Sequence, residues 1–115
     1  MIAHLPIWLK TLWDEGEAEN APDRNRHEQR RTVMASCFVV REGGHEPELA
    51  HIFNISAGAA GIGLTLRHRL DIGEVIRLRP SDGAGEAASA TVHHCTQTVQ
   101  GFKIGCSIDT SARIT

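Results

Sequence analysis

From residue 32 to residue 109 the chain is a run of short alternating segments cut by turn residues, and this texture constrains the fold more than any other feature. In residues 102–109, Ile104, Cys106 and Ile108 recur at every second position between Lys103, Gly105, Ser107 and Asp109. Side chains alternate across a β-strand, so the spacing predicts one buried face and one wet face. The same reading places strands at residues 32–41, 48–55, 61–67, 75–79, 88–97 and 102–109. Between them lie Glu42-Gly43-Gly44-His45, the stretches 70–73 and 80–85, and Gln100-Gly101, all rich in turn-forming residues. Short strands punctuated in this way predict an all-β sandwich or barrel.

The first residues follow another period. Leu5, Trp8, Leu9, Leu12 and Trp13 recur at intervals of three and four, with Pro6 placed for a first turn, which predicts a short amphipathic helix. An isolated helix of this length is marginal in water. It is expected to dock its Trp8 and Trp13 face on its own barrel, on a second copy or on a partner protein. Residues 14–23 are acidic, carry Gly16, Asn20 and Pro22, and offer little to bury, which predicts a mobile linker. The chain therefore divides into a helix and acidic linker at residues 1–23 and a barrel with an arginine-rich arm at residues 24–115.

With 115 residues the chain suffices for one domain with its own core. Its net charge of −2 excludes a protein-wide attraction for nucleic acid polymers or acidic membranes, so any anion site must be local. At 4%, aromatic residues are also too few to supply stacking platforms for a single strand. Arginine dominates the basic residues, Lys10 and Lys103 being the only lysines, and Arg24, Arg26, Arg30 and Arg31 crowd one short stretch. The guanidinium fork suits phosphate oxygens and guanine edges.

Cys37, Cys95 and Cys106 form no CxxC pair, so they read as small core residues on strands, with no disulfide framework or zinc site. His93 and His94 are adjacent, and alternation would send them to opposite faces, so no metal is expected there. No nucleophile elbow or carboxylate pair stands out; the chain is read as a binding protein, not an enzyme, and without a cofactor. No basic leader and no apolar run of about 20 residues is present, which leads to an expected place in the cytoplasm.

Two arrangements carry the functional reading. Arg26 and Arg30, four apart and followed by Arg31, can wrap a ligand with several phosphates while their planar faces stack on bases. Asn54 and Ser56, two apart at a strand end, point to one side and can meet a base edge or a phosphate, and the glycines nearby allow close backbone approach. Taken together, Arg26-x-x-x-Arg30 and Asn54-x-Ser56 resemble the RxxxR and (D/N)xSxxG motifs of the PilZ family, bacterial receptor domains for cyclic di-GMP. The resemblance runs from about residue 24 to residue 109.

The resemblance implies a six-stranded antiparallel barrel in which Arg26, Arg30 and Arg31 hold phosphates and stack on guanines. It implies that Asn54, Ser56 and a glycine, Gly58 or Gly61, receive a guanine at the barrel surface. The pattern departs from the family at Ala59, which stands where the motif has glycine, so that Ala59 and Ala60 read as a two-residue insertion before Gly61-Ile62-Gly63-Leu64. A second departure is the short stretch after the last strand, where many members carry a helix; the N-terminal helix is expected to take that packing place. The implied function is a cyclic di-GMP receptor that signals to a protein partner, with ligand binding shifting the helix. The alternative is a barrel that has lost the nucleotide and acts as an interaction adaptor through Trp8 and Trp13.

Overall fold

The structure, a computed structural model, describes residues 5–18, 30–43, 46–56 and 60–109. One helix and seven strands are present among them: α1 (Ile7–Glu15), β1 (Glu17–Ala18), β2 (Arg30–Arg41), β3 (Glu48–Ser56), β4 (Gly61–Leu66), β5 (Val75–Pro80), β6 (Ala88–Thr98) and β7 (Gly101–Ile108). All pairings are antiparallel, in the order β1-β2-β3-β4-β7-β6-β5, and β5 pairs back onto β2. Six strands therefore close into a ring, which decides for the barrel between the sandwich and barrel that the strand pattern left open. Strand β2 makes the closure because its length lets residues 30–39 pair with β3 while residues 37–41 pair with β5.

Alternation fills the interior. Ile104, Cys106 and Ile108 of β7 are buried, as are Ile76 and Leu78 of β5 and Ile62 and Leu64 of β4. Burying each large aliphatic side chain stabilises the fold by roughly 1.5–3 kcal/mol before entropy is counted. Cys37 and Cys106 belong to this core and are free thiols. Burial pushes both thiols up to about 12.

The helix docks on its own ring. Leu9 is fully buried and joins the core, while Trp8, Leu12 and Trp13 pack against it. The indole Nε1 of Trp8 donates to the carbonyl of Glu86 at 2.7 Å. At the helix C-terminus, the Trp13 carbonyl accepts from Gly16 N and from Arg31 Nη1, which satisfies an acceptor that a helix end leaves unpartnered. The acidic linker expectation needs correction here: Asp14 and Glu15 are helical, and Glu17 and Ala18 pair with Thr32 and Arg31 as β1. Docking the helix brings this stretch beside the edge of β2, where backbone hydrogen bonding outweighs its lack of apolar side chains.

Candidate functional site

The outer face of β3, β4, β7 and β6 holds a cavity of about 500 Å³, within the usual range for small-molecule sites. Arg30, Asn54, Ser56 and Gly61 all line it. Register explains why. Arg30 stands opposite Ser56, Ser56 opposite Gly61, and Asn54 opposite Gly63, so residues far apart in sequence form adjacent rows. The glycines let the motif side chains lie down over β4: a methyl group at Gly61 would collide with Ser56 Oγ, and one at Gly63 would collide with Asn54 Oδ1.

Irregularities in two strands enrich the lining. A register shift between Ile52 and Asn54 brings Phe53 and Asn54 to the same cavity, and one between Val92 and His94 does so for His93 and His94. A β-bulge adds one residue to a strand and breaks the alternation at that point. The expectation that His93 and His94 face opposite ways therefore fails: both are exposed and both line the cavity. Among the described residues, no three His, Cys, Asp or Glu side chains gather where they could hold a metal ion. His93 Nε2 lies 2.7 Å from Ser107 Oγ, and Lys103 Nζ sits 5.1 Å from the centroid of the Phe53 ring.

The electrostatics of this cavity follow from its lining. It contains the cations Arg30 and Lys103 and, among the described residues, no carboxylate. A larger cleft of about 1020 Å³, elsewhere on the ring, differs in that respect: Arg41, Arg67 and Arg69 share it with Glu46 and Glu48. Two of these charges, Arg41 and Glu48, are engaged. Glu74 grips Arg41 with both oxygens, at 2.6 and 2.9 Å, and these hydrogen bonds raise the guanidinium pKa. Glu48 accepts from the backbone amides of Arg67 and His68 and pairs with His68 Nδ1 at 2.9 Å. An anion entering the smaller cavity meets cations and donors; one entering the larger cleft must compete with carboxylates already in place.

The structure thus brings together Arg30, Asn54, Ser56 and Gly61 from the residues singled out in the sequence. Arg31 goes elsewhere, because neighbours on a strand face opposite sides. Its guanidinium lies over the Trp13 ring, 4.0 Å from the centroid, and donates to the Trp13 carbonyl at 2.6 Å. Arg24, Arg26, Gly58 and Ala59 lie outside the described residues. Ala60, the second residue of the proposed insertion, accepts from Ile108 N at 2.7 Å and leads directly into β4. Lys103, Phe53 and Ser107 escaped the sequence reading as lining residues, and His93 was weighed there only as a metal ligand. Outward position on an alternating strand was a signal available for Lys103 and Ser107, whereas the bulges that recruit Phe53 and His93 have no comparable pattern.

No curated protein matches the chain. A family model described as PilZ domain matches residues 24–115, well over half of the chain. The closed antiparallel ring, the arginine at the entry to its first long strand and the Asn54-x-Ser56 pair beside it accord with that match, and the chain belongs to the PilZ domain family.

Proposed function

We propose that this protein is a receptor for cyclic di-GMP that couples the dinucleotide to a protein partner, without catalysing a reaction. The observation that carries the reading is the convergence of Arg30, Asn54 and Ser56 on one cavity that has two cations and, among the described residues, no carboxylate. A cyclic dinucleotide brings two phosphate charges and two guanines. Arg30 is suited to a phosphate oxygen, and the Asn54 amide and Ser56 hydroxyl to the donor and acceptor groups of a guanine edge. Arg26, four residues before Arg30, would complete the phosphate grip from the arm. The family is one of binding domains, which supports a non-catalytic role.

The signal would leave through α1. Arg30 faces the cavity while its neighbour Arg31 holds the helix end, so a ligand that draws in the arm acts next to the contact that fixes the helix. Since Leu9 is buried and Trp8 is bonded to Glu86, the tryptophan face is already engaged by the ring, and a partner would meet it once the helix moves. No helix among the described residues is long and apolar enough to cross a membrane; a cytoplasmic receptor is the place we assign to it. Titration calorimetry with cyclic di-GMP tests the reading directly. Saturable heat is expected; folded protein that gives none at tens of micromolar dinucleotide would end it.

A further inference from the structure

One cation of the cavity has no part in the motif. Lys103 projects outward from β7, lines the cavity and holds its Nζ near the Phe53 ring. Phe53 in turn lies over β4, since a methyl group at Gly63 would come within 2.7 Å of its Cζ. The ammonium is thereby steadied across β4, at the end of the cavity away from Arg30. Register sets that separation. Arg30, Ser56, Gly61 and Ser107 share one row across the sheet, and Lys103 precedes Ser107 by four residues, or roughly 13 Å along a strand.

A phosphate held by Arg30 would therefore leave its ribose and base extending toward Lys103, past Asn54. Guanine presents two acceptors there, O6 and N7, on a single edge; adenine puts an amino donor in place of O6. An ammonium is donor only. It meets two acceptors on the guanine edge but only N7, beside an amino donor, on the adenine edge. Asn54 and Lys103 then meet adjoining edges of one base.

We infer that Lys103 selects the base at this site, donating to the O6/N7 edge of guanine and discriminating against adenine. The inference rests on the cyclic di-GMP reading of the same cavity. Calorimetric titrations of the full chain with cyclic di-GMP and with cyclic di-AMP separate the two. Lys103→Met should weaken cyclic di-GMP by about tenfold to a hundredfold while changing cyclic di-AMP little, so that the preference collapses. Lys103→Arg should keep the preference, and Arg30→Ala should weaken both dinucleotides alike. Unchanged cyclic di-GMP affinity in Lys103→Met, or an equal loss for both dinucleotides, overturns the assignment of Lys103 and leaves the receptor reading intact. If the unsubstituted protein binds neither dinucleotide, the receptor reading falls and this inference falls with it. Lys103 is exposed, and circular dichroism of the variants confirms that folding is not the cause.

Discussion

Arg30 and Arg31 are consecutive, yet they serve two regions of opposite character. Arg30 belongs to a cavity whose glycines clear space and whose described lining has no carboxylate. Arg31 belongs to a closed contact in which its guanidinium is stacked on Trp13 and bonded to the Trp13 carbonyl. One side of β2 lines a cavity with no carboxylate among its described residues, and the other has its partner supplied by the chain itself. A cluster of arginines is therefore not one functional unit. On a strand it splits at every residue between two surfaces, and each half must be assigned by what it faces.

The contrast predicts that damage to the helix contact should appear in stability and damage to the cavity in ligand affinity. The largest effect is expected for Leu9→Ala, which empties a fully buried position and should cost about 2–5 kcal/mol by chemical denaturation. Because the proposed signal route couples ligand binding to movement of the helix, cyclic di-GMP affinity of the folded fraction should hold or rise by a few-fold; a matching loss of affinity would show that the docked helix supports the cavity. Next comes Arg30→Ala, expected to weaken cyclic di-GMP by roughly 1.5–3 kcal/mol, or about tenfold to over a hundredfold, with little change in the denaturation midpoint. An affinity that does not change would remove Arg30 from the site.

The interior shared by both regions offers a pH test. Cys37 and Cys106 have folded pKa values raised from 9.0 to about 12, so below 9.0 their protonated thiols contribute in full. Between 9 and 12 the unfolded chain gives up protons that the folded chain keeps, and stability falls by up to about 1.4 kcal/mol per pH unit for each thiol. The chain has no tyrosine and only two lysines to obscure that slope. Replacing both cysteines by alanine should flatten the decline in thermal midpoint above pH 9, and a slope that survives the replacement would assign it to other groups. The smallest effect belongs to Arg31→Ala, about 1 kcal/mol of stability, seen as faster amide exchange in α1. If saturating cyclic di-GMP leaves α1 exchange untouched in the unsubstituted protein, the proposed route through the helix is lost.

Much of this molecule could be read before its coordinates. Each of the six strands of the ring lies within two residues of its expected place, because alternation and turn chemistry are local properties. Arg30, Asn54 and Ser56 were likewise legible as a motif. The helix was too, although its exact extent was not: the expected linker lost Asp14 and Glu15 to α1 and Glu17 and Ala18 to β1, since docking, not propensity, decides what a short acidic segment does.

Sequence alone therefore determined, away from the bulges, which strand side chains face inward, where the chain turns and that Arg30, Asn54 and Ser56 carry a motif, since these depend chiefly on neighbours one to four positions away. Tertiary structure decided which of those groups share a surface. Pairing of β4 with β7 is what brings Lys103 to Phe53 and Asn54, and the bulges in β3 and β6 are what bring Phe53 and His93 to the cavity. Docking of α1 is what takes Arg31 away from it. Such contacts join residues far apart along the chain, and their energies exist only once the ring has closed.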